Sequence, residues 1–335
     1  MTCNEIYELH LKPRSLTEKR LVEIFASPTI QGNYKANRKF TGNEKQRVLK
    51  IASRFCKIKD CGSRMYRIQK VYTLPPNFEK MNRDIYKFIC PLILSVLMKG
   101  YDETQPAAMT LTSWSTEIHM VNKNYNVLRN NNWEVTSSMQ LLNGVVSDFY
   151  QKCENEIFYY LHKSFEYLKD AGLISFREVY YVQPVRCTGE NIPQRPATKD
   201  ELDFYDQCIA KAGQAENVQK EKQCYHKMQT EKFRQAVKTE LKKGGIQSIF
   251  KKYEVSYVSL DKCKEVFKAF EFDPEKDIQT FNEALTKKLL DNANKRTLKG
   301  EFADKKEKYL SDYSDLCKLI IDYDTKYIME RLKNQ

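Results

Sequence analysis

The sequence predicts a mainly α-helical protein with a few small β-hairpins. Gly and Pro are few, at 11 and 10 of 335 residues, which argues against a turn-rich β-sandwich. Apolar residues recur at helical spacing over most of the chain. With 41% hydrophobic residues, 21 Tyr and 17 Phe, the chain has enough apolar mass to fold and is not mainly disordered. Its length allows two or three domains at roughly 100–200 residues each.

The positive charge is concentrated at one end of the chain. The formal net charge is +12, from 56 Lys and Arg against 44 Asp and Glu. Residues 1–80 hold 17 of these cations and 7 of the acids, a net charge of +10, so the remainder carries only +2. Charge gathered in one small module is expected of a protein that binds a polyanion. The alternative is a basic surface that only keeps the protein soluble.

Residues 15–55 are predicted to contain two helices. The first starts at Ser15 or Leu16 and is stopped by Ser27-Pro28, and a polar, basic connection follows over residues 31–39. The second opens at Thr41 or Gly42. Its buried face is predicted from apolar residues at i, i+3, i+4 and i+7: Val48, Ile51, Ala52 and Phe55. A third helix, if present, would be the short segment 4–10.

A basic β-hairpin is predicted after the second helix, with a turn at residues 60–63 and a strand-like run over 65–72. Helix, turn, basic helix and basic hairpin is the order of a winged helix-turn-helix, whose second helix enters the major groove while the hairpin touches phosphates. The alternative is a small α+β module with a solvated basic helix. The candidate DNA-binding residues are Asn43, Gln46, Arg47, Lys50 and Arg54 on the helix, Lys35, Arg38 and Lys39 on the connection, and Lys57, Lys59, Arg64 and Arg67 on the hairpin.

The middle of the chain is predicted to form a second winged-helix-like unit. It would hold a buried helix over 84–98 that Pro91 bends or divides, short helices starting at Thr112 and Asn122, and a long helix over 137–170 ending at Gly172. A strand-like run over 176–182 would follow as its wing. Because the charge here is nearly balanced, packing or dimerisation is as well supported as DNA contact.

The C-terminal part is predicted to be a linker over 185–196 followed by helices throughout. Asp273-Pro274 is a clear helix start, with an N-cap carboxylate and Pro at the first helical position. The last predicted helix, 302–332, has a heptad-like seam that either packs within the chain or forms a homodimer. Its members are Tyr309, Tyr313, Leu316, Ile320, Tyr323 and Tyr327. The predicted domains are therefore residues 1–76, 77–184 and 185–335.

Sequence motifs for catalysis or cofactor binding are absent, so we expect a non-enzymatic protein without a cofactor. There is no P-loop, no GxGxxG after a strand, no HExxH and no GxSxG. The ten cysteines contain no CxxC and are expected to be reduced thiols, several of them buried. The one metal-like cluster, Cys224-Tyr225-His226 with Cys208, lacks the close pairs of a zinc site, so no metal is expected. The apolar run 88–98 is too short to cross a membrane, and a cytoplasmic location is expected.

Two segments resemble a known group of proteins. The helix-then-hairpin stretch SRFCKIKDCGSRMYRIQKVY (residues 53–72) and the stretch IHMVNKNY (residues 118–125) are similar to winged helix-turn-helix proteins of Gram-positive phages, plasmids and integrated elements. The resemblance covers about residues 15–180, implies DNA binding in a mobile-element setting, and supplies no catalytic residues.

The sequence hypothesis is therefore a sequence-specific protein that binds double-stranded DNA and regulates transcription or initiates replication on a mobile element. One alternative is a helical protein-interaction module that binds a host protein and uses the basic N-terminus as a nucleic-acid tether. A further alternative is an enzyme that acts on nucleic acid through a site that sequence motifs do not reveal.

Overall fold

The computed structural model describes residues 13–72, 74–75, 77–130, 132–185, 192–217, 227–298 and 302–321. Over these ranges the protein is mainly helical, with two small sheets. The chain divides into two compact units. The first holds the described parts of Met1–Ala107, Leu111–Phe176 and Val255–Gln335, and the second holds Ala108–Thr110 and Arg177–Glu254. The domain boundaries expected near residues 76 and 184 stay predictions.

The first unit begins with a small α+β module over residues 13–72. Its sheet is antiparallel, with strand order β1-β3-β2. Three helices lie between the first and second strands of the sequence. The elements are β1 (Arg14–Thr17), α1 (Glu18–Phe25), α2 (Pro28–Asn37), α3 (Glu44–Ala52), β2 (Cys56–Asp60) and β3 (Met65–Val71).

Two predictions for this module are wrong. The start expected for the first helix is strand β1, because Leu16 lies opposite Tyr66 in the sheet and both side chains are buried. The basic connection expected over residues 31–39 is mostly helix α2. Ser27 caps this helix through its Oγ, which accepts a hydrogen bond from the Ile30 N–H at 3.5 Å, and Pro28 occupies the first turn. Ser27-Pro28 therefore starts a helix as well as following one.

The module has its own apolar core. Side chains from all three helices and from the sheet meet in it, and most are fully buried. The burial expected for α3 is confirmed at Val48 and Ala52, whereas Ile51 is half-buried; Phe55 is buried too, but it lies in the turn after the helix. The other main contributors are Leu21, Ile24, Phe25, Tyr66 and Ile68.

The remaining elements of the chain are mostly helices. A short 3₁₀ turn, Ala303–Lys305, precedes the last of them. In chain order they are α4 (Phe78–Met81), α5 (Tyr86–Leu97), β4 (Ala107–Met109), α6 (Leu111–Glu117), α7 (Asn124–Asn130), α8 (Asn132–Ser138), α9 (Val145–Asp170), β5 (Ile174–Pro184), β6 (Arg195–Pro196), α10 (Lys199–Glu216), α11 (Lys227–Lys243), β7 (Ile246–Tyr257), α12 (Leu260–Ala269), α13 (Pro274–Arg296) and α14 (Lys306–Ile321).

The helical part of the first unit is built around α5 and α9. Helix α5 is buried on nearly every side and contains Pro91 without being divided by it. The long helix predicted over 137–170 is α9, which begins only at Val145, because the chain turns at Gly144, where φ is +85°. Packing of the last helix within the chain is confirmed for its described part: Tyr309, Tyr313, Leu316 and Ile320 are buried. Tyr323 and Tyr327 lie outside the described residues.

The second unit joins most of a four-stranded sheet, in the order β4-β7-β5-β6, to helices α10 and α11. Strand β7 contradicts the expectation that the chain is helical throughout after residue 196. The chain turns at Gly245, where φ is +73°, and continues as a strand rich in β-branched and aromatic residues. Its core contains Val182 of β5, Ile246 of β7, Cys208 and Ala212 of α10, and Phe233, Val237 and Leu241 of α11.

The cysteine prediction is confirmed where the structure describes it. Cys61 is exposed, and the other described cysteines are free and buried. Cys224 and His226 of the metal-like cluster lie outside the described residues; within those ranges no group of three or more His, Cys, Asp or Glu could hold a metal. None of the described helices is long and apolar enough to span a membrane.

Candidate nucleic-acid interface

Helix α3 presents a polar, basic face to solvent. Gln46, Arg47 and Lys50 are exposed, and Asn43 is exposed at the helix N-terminus. Val48 and Ala52, on the opposite side, are completely buried in the module core. The helix is therefore held by one face, and its other face is free to meet a ligand.

Arg54, predicted on this helix face, lies in the turn after α3, because the helix ends at Ala52. Its side chain is 26% exposed, and its Nη2 lies 3.6 Å from Oδ1 of Asp170, at the end of α9. An ion pair at this distance with an exposed carboxylate contributes little to stability. Among the five residues predicted for this helix face, Arg54 is the one that forms an ion pair with an acid in the described part of the chain.

The C-terminal end of α2 adds a second group of cations. Lys35 lies in its last turn, and Lys39 follows the helix; both are exposed. Arg38 is the C-cap, with a left-handed φ of +53°. The segment predicted as a basic connection is therefore an ordered helix end that still presents these three cations.

Strands β2 and β3 place like charges directly opposite each other. Lys57 pairs with Lys70, and Lys59 pairs with Arg67. A β-bulge between Lys57 and Ile58 shifts the register between these two pairs. All four basic side chains are exposed, whereas Tyr66 and Ile68 point into the core. The exposed face of the hairpin is therefore a patch of four cations, here called the sheet cations: Lys57, Lys59, Arg67 and Lys70.

The sheet cations form no ion pair with an acid in the described part of the chain. Among the residues that the structure describes, none of the four has a carboxylate oxygen within 4.0 Å. Like charges directly opposite each other in a sheet are destabilising. An unbound module thus carries a cost that a bound anion would remove.

The acids of the module are occupied elsewhere. Residues 13–72 contain 15 Lys and Arg but only four acids. Glu23 pairs with Arg20 at 2.8 Å, and Glu18 is buried. Glu44 accepts hydrogen bonds from the Thr41 N–H and the Asn33 amide, each at 2.8 Å, which lower the pKa of its carboxyl.

The fourth acid, Asp60, ties the hairpin to α3. Its Oδ2 lies 2.6 Å from Nζ of Lys45, and its Oδ1 accepts a hydrogen bond from the Gly62 N–H at 3.0 Å. Lys45 and the turn amide lower the pKa of Asp60, and Asp60 in turn raises the pKa of Lys45. Both groups therefore stay charged throughout the neutral range.

Arg64 is engaged at the turn of the hairpin. Its Nη1 donates to the carbonyl oxygen of Arg38 at 3.3 Å, and its own carbonyl accepts from the Glu18 N–H at 2.8 Å. These contacts bring the turn, the end of α2 and the start of α1 together. Arg64, predicted as a DNA contact, thus has a structural role as well.

Sequence reasoning missed three residues of this arrangement: Lys45, Asp60 and Lys70. Antiparallel pairing outward from Asp60 and Tyr66 puts Lys59 opposite Arg67, whereas the turn predicted over residues 60–63 would have put Lys59 opposite Arg64. The place of Lys70 does not follow from this pairing, since the bulge moves it opposite Lys57. Comparisons of the chain with protein-family models, curated proteins and solved structures find no match.

Proposed function

We propose that residues 13–72 form a winged helix-turn-helix and that the protein is a non-enzymatic, sequence-specific binder of double-stranded DNA. In this proposal α2 and α3 are the helix-turn-helix, α3 is the recognition helix, and the β2–β3 hairpin is the wing. The observation that carries it is the pairing of Lys57 with Lys70 and of Lys59 with Arg67, none of which forms an ion pair with a described acid.

Phosphate binding accounts for the like-charged pairs. DNA carries a dense row of negative charges, and basic side chains that approach it release condensed counterions, which favours binding. Residues two apart in a strand are separated by about 6.6 Å, so Lys57 and Lys59 suit an extended run of phosphates better than one small anion. These contacts supply affinity and carry no sequence information.

Helix α3 is proposed to supply the sequence information. Arg47 and Lys50 are suited to guanine edges, and Gln46 and Asn43 to adenine edges. All four are exposed on one face of a helix narrow enough to enter the major groove. Arg54 is proposed to contact the backbone at the far end of the helix, after releasing Asp170.

Selection from a random DNA pool tests this proposal. The full chain should enrich a defined site and bind it at least about 10³-fold more tightly than a scrambled duplex. The variant Arg47→Ala/Lys50→Ala should lose most of this preference, since a good base contact is worth about 1–3 kcal/mol. Fluorescence anisotropy of labelled duplexes measures both affinities.

The matched control is Lys264→Ala/Lys268→Ala, which removes the same charge from exposed positions on α12. It should keep the preference for the selected site. Failure to enrich any site, or equal behaviour of the two variants, overturns the assignment of α3.

The form of the enriched site would refine the biological role. A replication initiator is expected to select direct repeats, and a dimeric transcriptional regulator is expected to select a palindrome with half-sites one or more helical turns apart.

A further inference from the structure

The carboxylate of Asp60 links the turn of the hairpin to helix α3. One oxygen of Asp60 faces Lys45 in the first turn of α3, at 2.6 Å, and the other accepts the Gly62 N–H of the turn itself, at 3.0 Å. Lys45 also lies over the ring of Tyr66, 5.7 Å from its centroid, so its side chain is directed along the hairpin. Asp60 therefore joins the proposed wing to the proposed recognition helix.

The backbone of the turn has an unfavourable conformation that the Asp60 contact helps to hold. Gly62, Ser63 and Arg64 all have left-handed φ, at +77°, +47° and +60°. Non-glycine residues rarely adopt this conformation, and surrounding contacts must hold it. The contacts of Arg64 with Arg38 and Glu18 hold one side of the turn, and Asp60 holds the other.

An acid at this place is unfavourable for binding DNA. Asp60 follows directly on Lys59 and lies within a module whose net charge between residues 13 and 72 is +11. Its charge repels phosphates and partly offsets its basic neighbours. On electrostatics alone, its removal would strengthen binding to every duplex.

We propose that Asp60 is a positioning residue, which fixes the angle between the hairpin and α3 so that the sheet cations and the base-facing side chains of α3 engage one duplex together. This inference rests on the proposed function. It assigns Asp60 and Lys45 a role in selectivity. Neither residue contacts a base; both act by holding the hairpin against α3.

The test compares Asp60→Asn with the full-length wild type on the selected site and on a scrambled duplex. Affinity for the selected site should fall about 5- to 50-fold, although the loss of one carboxylate makes the net charge of the variant more positive. Affinity for the scrambled duplex should stay the same or rise by up to about threefold. The matched control Glu23→Gln also removes one acid from the module and should not lower the affinity for either duplex.

A double-mutant cycle separates positioning from direct base contact. Lys45→Met should reproduce the loss of selectivity, and Lys45→Met/Asp60→Asn should be no worse than either single change, because both break one contact. The exchange Lys45→Asp/Asp60→Lys should recover part of the selectivity. The thermal midpoint of each variant shows whether it is folded.

Three results would overturn the inference while leaving the proposed function intact: stronger binding of Asp60→Asn to both duplexes, additive losses in the cycle, or no recovery in the exchanged variant. If the wild type binds no site selectively, the proposed function itself fails.

Discussion

The two described sheets both carry basic residues on neighbouring strands, but the partners of those residues differ. In the N-terminal sheet, cations face cations: Lys59 lies opposite Arg67, and no described carboxylate oxygen lies within 4.0 Å of the charged atoms of either. In the sheet of the second unit, cations face acids. Arg177 Nε lies 2.7 Å from Glu254, and Lys251 Nζ lies 2.5 Å from Glu178.

The aromatic residues sharpen this difference. In the second unit, Lys252 lies over the ring of Tyr181 at 4.4 Å, and the Tyr181 hydroxyl donates to Glu254 at 2.9 Å. The charges of that sheet are satisfied within the chain, so they hold the sheet together. In the N-terminal sheet, no described carboxylate lies within 4.0 Å of the sheet cations, and the proposed function assigns the phosphates of DNA as their partners. A high local density of Lys and Arg therefore does not by itself indicate a binding surface.

The largest expected difference is in DNA affinity. Lys59→Ala/Arg67→Ala should weaken binding to any duplex about 10- to 100-fold at about 0.1 M salt, because two phosphate contacts are lost. Arg177→Ala/Lys251→Ala removes the same charge from the other sheet and should change affinity by less than about threefold. Equal losses in the two variants would mean that net charge, and not this surface, governs binding.

The same two sheets should differ in the opposite direction in stability: substitutions in the second unit should destabilise its sheet more than substitutions in the N-terminal sheet. Arg177→Ala leaves Glu254, which is 6% exposed, without its cation and should lower the stability of the sheet by about 1–3 kcal/mol. Lys59→Ala should cause no loss, since it relieves repulsion from Arg67. Hydrogen exchange of the amides of β5 and β7, compared with those of β2 and β3, measures each sheet separately. Faster exchange in β2 and β3 of Lys59→Ala would contradict the repulsion argument.

Reversing the charge of Lys59 should change the stability of the N-terminal sheet and its affinity for DNA in opposite directions. Lys59→Glu creates an opposite-charge pair with Arg67 and should stabilise the N-terminal sheet by about 0.2–1 kcal/mol. The same change should weaken DNA binding more than Lys59→Ala does. A variant that loses stability together with affinity would show that the exposed face is built for packing.

The smallest expected effect is that of pH. Between residues 13 and 72 there is no histidine. Lys45 lowers the pKa of Asp60, so this contact is kept above the ordinary carboxyl pKa of about 3.9 and is lost only in stronger acid. The pKa of Lys45 is raised, so its side of the contact is lost only at high pH. Selective binding should therefore change by less than about twofold between pH 5.5 and 7.5, and a larger fall would indicate a further titrating group.

One sequence signal occurs twice along the chain, and its ambiguity explains one wrong prediction. Asp273-Pro274 predicts a helix start, and α13 begins there, with Asp273 accepting a hydrogen bond from the Glu275 N–H at 3.1 Å. Ser27-Pro28 has the same N-cap and proline pattern, but coming after an apolar helical stripe it predicts only the end of a helix. A proline that ends one helix can occupy the first turn of the next, because its missing N–H is not needed there.

Strand β7 could not be separated from a helix by composition alone. Its sequence IQSIFKKYEVSY has no clean alternation, because Tyr253, Glu254, Val255 and Ser256 are all buried. Burial on both faces removes the period-two pattern by which a strand is recognised. The polar face of α3 was predictable, because a helix packed by one side shows its period directly. The pairing of Lys57 with Lys70 depends on a bulge, and the role of Asp60 depends on contacts with a distant helix.

The salt dependence of binding tests the central claim most directly, namely that the sheet cations are neutralised by phosphates of bound DNA. The measurement is the slope of log K against log salt concentration for the wild type and for Lys59→Ala/Arg67→Ala on the same duplex. Each lost phosphate contact reduces the slope by about 0.9, so the account predicts a slope shallower by about 2. An unchanged slope would contradict the claim, even if the affinity fell.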